Sequence, residues 1–253
     1  ELCKIYNINY NDFIRTTEKR HKEVVNKILI KIYKNKFIYR GSYEGRYCVD
    51  CETFYTEKDL INGECPIHKK STELFKEGGY FFKMSHFQNR LIKHIKENPH
   101  LIHSDKKRNE ILKRLEQPLK DLSITRKNVW GLEFPIDKNY STAVWTEALL
   151  NYLTTLDYPN KKFKEFWPTL NVIGPDIIWH HTVIYWSLLW ALDSKIKIPT
   201  ILTHGYVTVK GEKMSKSLGN VIDPLELAKR YPVDGIRYYL IREIPFGEDG
   251  DFS

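Results

Sequence analysis

Cysteine is scarce in this chain. Its 253 residues carry four, at Cys3, Cys48, Cys51 and Cys65. That is too few for a disulfide framework at this size, and it points to a reducing compartment. Long hydrophobic runs are missing as well. The longest, 183–192, is about ten residues, half of what a bilayer crossing needs, so it reads as a buried helix and no membrane partner is expected. No signal peptide opens the chain. Internal repeats, low-complexity tracts and long linkers are absent, which excludes solenoid and disordered classes. Acidic residues are in deficit, 32 against 40 Lys and Arg, giving a formal charge of +8. The surplus suits a polyanion such as RNA. Abundant Lys, Ile, Asn and Tyr would also follow from an AT-rich genome with no nucleic acid involved. A cytoplasmic setting is expected, with an organelle left open. The first residue is Glu1 rather than Met, and the expectation is a piece of something longer.

What is present is best read from Lys213-Met214-Ser215-Lys216-Ser217. Two ammonium groups three residues apart, in a Gly-bounded loop after the apolar Val207-Thr208-Val209, suit a polyphosphate. A solvated Lys/Ser turn is the plainer alternative. Upstream, Thr17 is expected to cap a helix over 18–34 with Val24, Val25, Ile28, Leu29 and Ile32 as its apolar stripe. A short strand is expected at 37–40, and helices at 85–97 and 105–116. The segment 142–153 reads as one apolar helix. A strand at 170–173, a helix over 176–192 and a strand at 198–204 make a βαβ unit, hence a parallel sheet. Helices at 224–231 and 234–242 follow. Ligands bind at the carboxyl ends of such strands, where Gly174-Pro175-Asp176 and His204-Gly205 lie. Asp176 could equally be a helix N-cap.

Between 41 and 70 the helical period is lost. Cys48-x2-Cys51-x13-Cys65-x2-His68 has the spacing of two zinc knuckles, separated by an Asn62-Gly63 turn. Three thiolates and an imidazole would close a tetrahedral structural Zn2+ site. Three reduced core cysteines and a surface histidine would give the same letters.

The resemblance to a known family is carried by many segments in order. They are Lys213–Ser217, Phe13-Ile14-Arg15-Thr16-Thr17-Glu18-Lys19-Arg20-His21, Tyr43-Glu44-Gly45-Arg46-Tyr47-Cys48, Glu52-Thr53-Phe54-Tyr55-Thr56-Glu57, Tyr80-Phe81-Phe82, Leu119–Arg126, Trp145-Thr146-Glu147-Ala148-Leu149-Leu150-Asn151-Tyr152 and His204-Gly205. Together they resemble the methionyl-tRNA synthetases, class I aminoacyl-tRNA synthetases whose loop signature is KMSKS. The resemblance implies an α/β fold, a Rossmann-type parallel-sheet catalytic domain with an inserted zinc-knuckle connective-peptide domain. It divides the chain into 1–40 and 121–208 for the catalytic domain, 41–120 for the insertion, and 209–253 for the KMSKS loop and the start of the stem-contact region. It implies methionine, ATP with Mg2+ and tRNA(Met) as partners. By this likeness Lys213, Lys216 and Arg126 are catalytic, and Gly174, Asp176, His204, Gly205 and Lys216 bind ATP. Trp145, Ala148, Leu149, Tyr152 and His181 bind methionine; the first four fall at i, i+3, i+4 and i+7, one helical face that could also be plain core. Gly205 would let adenine approach the backbone.

Departures are visible. Pro175 stands where the family usually has lysine, Glu147 where it has aspartate and Thr146 where it has an aromatic. The family's HIGH-type histidine pair and its helical anticodon-binding domain are not matched. The expectation is that a chain beginning at Glu1 does not activate methionine alone. A non-catalytic RNA-binding or assembly protein derived from a synthetase is the competing reading. A zinc hydrolase needs an open metal position and a nearby base, and neither is found.

Overall fold

A computed structural model describes residues 1–48, 53–55, 60–66, 69–127, 129–214, 219–244 and 247–252. After a short helix α1 (Leu2–Ile5), α2 (Lys19–Lys34) buries Val25, Ile28, Leu29 and Ile32, the i, i+3, i+4, i+7 stripe, together with His21. Its N-cap is Glu18, not Thr17. Thr17 stands one residue too early, and the Glu18 carboxylate accepts from the Arg15 N–H (2.8 Å) and pairs with Arg20 (2.6 Å) instead of capping. At the other end Asn35 Nδ2 donates to the Ala191 carbonyl (2.8 Å), joining α2 to the central helix.

The strand expected at 37–40 is much longer. β1 (Ile38–Cys48) pairs antiparallel with β3 (Glu73–Phe82), from Ile38↔Phe82 to Tyr47↔Glu73. With β2 (Thr53–Tyr55) and β5 (Leu122–Ser123) they form the sheet β2-β1-β3-β5. Asn62 and Gly63 both take positive φ (54° and 78°) between bridged Ile61 and Glu64, the mirror-image turn that Asn-Gly favours.

Next come α3 (Gln88–Glu97), β4 (Ile102–His103) and α4 (Asp105–Arg114). A small antiparallel pair, β6 (Thr125–Lys127) with β7 (Tyr140–Thr142), leads into α5 (Val144–Ala148), α6 (Asn151–Thr155) and α7 (Lys161–Phe166). The expected βαβ unit forms. β8 (Leu170–Ile173) and β9 (Thr200–Thr203) pair in parallel, with α8 (Tyr185–Leu192) between them in sequence. β4 joins the far side of β9, again parallel, in the order β4-β9-β8. Residues 102–103, expected inside the 41–120 insertion, therefore belong to the parallel sheet. Every side chain of α8 is buried, which fits a helix apolar all round.

The remainder holds a hairpin of β10 (Val207–Val209) and β11 (Glu212–Lys213), with β12 (Gly250–Asp251) parallel to β10, and the helices α9 (Pro224–Arg230) and α10 (Val233–Glu243). Among the described residues no helix is long and apolar enough to cross a membrane.

Trp186 is fully buried at the centre of the main core. Trp186→Ala is expected to cost about 3–5 kcal/mol of unfolding free energy, measured by urea denaturation. A cost below about 1 kcal/mol would mean that this core is not the one described.

Candidate functional site

The register of β8 on β9 sets the site. Ile173 lies opposite Thr203, and the His204 N–H donates to the Ile173 carbonyl (3.1 Å). The two strand ends therefore deliver Gly174 and His204 side by side. A Cβ on Gly174 would meet Asp176 Oδ1 at 3.1 Å and the His204 ring at 4.0 Å, so these three residues share one corner. Asp176 sits in a 3-10 turn, Pro175–Ile177, with a half-exposed carboxylate. Lys213 reaches it at 3.6 Å while lying over the Tyr206 ring at 4.2 Å. Its contact with Tyr206 raises the lysine's pKa, burial opposes the rise, and Asp176 adds a lesser push upward. The first loop lysine thus faces the candidate ribose-binding aspartate. Lys216 lies outside the described residues.

Gly205 has a different reason from the expected one. A Cβ there would fall inside the carbonyl of Glu248 and against the Asp249 nitrogen. The close approach belongs to the chain's own backbone, so nothing in this geometry calls for an adenine. Arg126, on β6, turns its guanidinium to the Thr125 carbonyl (2.8 Å) and Ser123 Oγ (3.1 Å), and among the described residues it forms no ion pair.

The single helix expected over 142–153 is two. Asn151 Nδ2 donates to the Ala148 carbonyl, a side-chain competitor for the helical ladder, and α5 stops there. The i, i+7 stripe is broken accordingly. Leu149 belongs to the core at 1% exposure, whereas Trp145 is 39% exposed. Tyr152, on α6, donates its hydroxyl to His181 Nε2 (2.9 Å). His181 Nδ1–H donates in turn to the Ile177 carbonyl (2.9 Å), which leaves Nε2 as the acceptor. Burial lowers the His181 pKa, so the ring is neutral at pH 7. Both histidines lie in a π-helical turn, His180–Ile184, a rare local form that recurs at functional sites.

One contact of His180 and one pairing of His21 with Glu147 were not read from the sequence. His180 stacks on Trp145 (3.9 Å, 27°). His21 and Glu147 meet in the core. The neighbouring His181 was the only signal for His180, and no sequence pattern pairs residues 126 positions apart. At the metal candidate, Cys48 and Cys65 are buried at 2% and 1%. Cys65 N–H donates to the Lys70 carbonyl and Lys69 N–H to the Cys65 carbonyl. Cys51 and His68 lie outside the described residues. Among those described, no three His, Cys, Asp or Glu gather as a metal site.

The family model "tRNA synthetases class I (M)" matches residues 1–74 and 57–253. The chain belongs to the class I tRNA synthetases (M). A methionine–tRNA ligase of Caldanaerobacter subterraneus is 43% identical over 259 residues, covering 100% of this chain and 40% of its own. One from Fusobacterium nucleatum is 46% identical over 255 residues, with 97% and 40% covered. This synthetase chain thus spans about two fifths of the length of the curated relatives it matches. Among solved structures, Mycobacterium tuberculosis methionyl-tRNA synthetase with methionyl-adenylate superposes with a TM-score of 0.91 at 35% identity, over 100% of this chain and 51% of that one. The free form of that enzyme gives 0.85 at 32% identity, over 99% and 50%. These likenesses span the class I catalytic fold, parallel sheet included.

Desolvation, reinforced by His181 and Arg114, pushes the His180 pKa down from 6.5 to about 4. The folded state refuses a proton that the unfolded chain accepts. Stability is therefore expected to fall as pH drops from about 6.5 to about 4 and to level off below. His181 and His94, lowered by burial, act in the same direction. His180→Phe keeps a ring against Trp145 and should flatten that slope, read from urea midpoints across pH 7 to 4. An unchanged slope would show that His180 stays accessible to protons when folded.

Proposed function

We propose that this chain supplies the nucleotide and methionine sites of a methionine–tRNA ligase. The reaction forms methionyl-adenylate from methionine and ATP and transfers the methionyl group to tRNA(Met). The observation that carries the reading is the meeting of Asp176 and Lys213 at the carboxyl ends of β8 and β9, beside Gly174 and His204. A carboxylate that accepts from ribose hydroxyls, next to an ammonium on a phosphate-suited loop, is the recognition chemistry of a nucleoside triphosphate. The M. tuberculosis synthetase was solved in complex with methionyl-adenylate, and the likeness to it spans this whole chain.

In this reading Asp176 holds the ribose. Gly174 and His204 shape its wall, and Gly205 supports that wall by admitting the 248–249 backbone. Lys213 and Lys216 take the phosphates, with Mg2+ travelling with ATP and Arg126 swinging from its backbone contacts towards the phosphate side. Trp145, Ala148 and Tyr152 line the methionine site, and Leu149 backs it from the core. The neutral His181, fixed by Ile177 and Tyr152, offers a polar but uncharged wall. Aromatic rings suit the thioether, with sulfur–aromatic contacts worth about 0.3–1.5 kcal/mol each. The methionine carboxylate attacks the α-phosphorus and pyrophosphate leaves. A terminal ribose hydroxyl of tRNA then attacks the acyl carbon and AMP leaves. No covalent enzyme intermediate is needed, and the protein's part is positioning and charge stabilisation. The +8 net charge favours the tRNA.

Cys48, Cys51, Cys65 and His68 would hold one structural Zn2+. Cys48 and Cys65 are both buried, and a donor set of three thiolates and an imidazole fits a closed site. The metal would staple the 41–70 segment and take no part in the chemistry.

Lys216→Ala in the active protein is expected to lower methionine-dependent pyrophosphate exchange by about 10²–10³-fold. Exchange at the parent rate would remove the loop from the mechanism. A parent without exchange that still binds RNA would favour the non-catalytic alternative. Metal analysis should find about one zinc per chain, lost in Cys48→Ser. Zinc retained in that variant would exclude Cys48 as a ligand.

A further inference from the structure

The α2 histidine makes two contacts that the catalytic scheme leaves unused. His21 is wholly buried. Its Nε2 lies 2.8 Å from Glu147 Oε2 on α5, and its Nδ1 lies 3.0 Å from Thr154 Oγ1 on α6. Glu147 is itself buried at 8% exposure. Thr154 Oγ1 also lies 3.3 Å from the Leu150 carbonyl, so its hydroxyl can donate there and accept from Nδ1–H, or donate to Nδ1, according to the ring tautomer. A proton must lie between Nε2 and Oε2, since two lone pairs at that distance repel. The ring is thus hydrogen-bonded at both nitrogens, and a buried polar network bonded in this way specifies a geometry.

Two five-residue helices separated by a break cannot hold their mutual angle by propensity. A rigid planar ring bonded to one residue of each can. Trp145 and Ala148 flank Glu147 on α5, and Tyr152 precedes Thr154 on α6. We propose that His21, Glu147 and Thr154 are positioning residues that set the gap between Trp145 and Tyr152, and hence the width of the methionine pocket. The inference rests on the function proposed above. It concerns methionine alone, because the Asp176–Lys213 corner is built on other elements.

The test compares the active parent with Glu147→Ala, Glu147→Gln and the near-isosteric Thr154→Val in methionine-dependent pyrophosphate exchange. Glu147→Ala should raise the methionine KM roughly tenfold to a hundredfold, with the ATP KM within about twofold. Glu147→Gln, which keeps length and a hydrogen bond to the ring, should stay within about threefold of the parent. Thr154→Val, which folds with little change of shape, should raise the methionine KM about threefold or more. An unchanged methionine KM in Glu147→Ala and Thr154→Val, or an equal rise in both KM values, overturns the inference. Hydrogen exchange separates it from the function. Amides of 144–155 should exchange faster in Thr154→Val and Glu147→Ala while those of 185–192 do not, even if the parent shows no exchange activity. Equal exchange in 144–155 would refute the positioning role by itself.

Discussion

The four-rung parallel pairing of β8 with β9 is the constraint on which the rest depends. Leu170↔Thr200 through Ile173↔Thr203 fixes which residues emerge together at the carboxyl ends. A slip of one residue would invert every side chain on β9 and part Gly174 from His204. The buried α8 and its π-helical turn lie between these strands in sequence, so the same pairing also sets where His180 and His181 arrive. The proposed nucleotide corner and methionine wall would be two products of one crossover, joined through Asp176 and His181 on a single segment.

Much of this crossover was legible in the sequence. The apolar run 183–192, bracketed by short β-branched strands, admits few other arrangements, and the Asn62-Gly63 turn follows from local backbone preference. What was not legible depended on competition between groups distant in sequence or on side chains bonding to backbone. The length of β1 comes from pairing with β3 some thirty residues later. Nothing in the alternation of 41–48 announces it. The break between α5 and α6 turns on one amide, Asn151 to Ala148, in a stretch whose helical period looks continuous. Glu147 stood out only as an unusual residue, because its partner His21 is on another element.

At Gly205 the close approach is made by the chain's own backbone. A glycine at a strand end beside a nucleotide cleft invites the idea of a base passing close to the backbone. Here the space is taken by the 248–249 backbone, while Tyr206 N–H donates to Asp249 Oδ1 (2.8 Å) and Gly250 N–H to the Tyr206 carbonyl (2.9 Å). That seam runs on into the β10–β12 pairing, which positions the hairpin carrying Lys213. The glycine serves the site through the loop's foundation. A larger residue would displace the hairpin before it displaced any ligand.

The contact between Lys213 and Asp176 has a consequence in energy. Both side chains are more than half exposed, at 60% and 56%, and the separation is 3.6 Å. Such pairs are worth about 0–1 kcal/mol, because water screens them and two flexible chains must be held still. A contact this weak parks the lysine within reach of the nucleotide corner without locking it there. A triphosphate offers the same ammonium several charged oxygens, and charge-assisted hydrogen bonds of that kind are about twice as strong as neutral ones. In the proposed function a triphosphate would replace one carboxylate partner of Lys213 by several charged oxygens, and Asp176 would then be left to accept from ribose hydroxyls. Burying the pair would have strengthened it and made ATP compete against it. In the proposed function, its exposure is what would let the contact yield to a nucleotide.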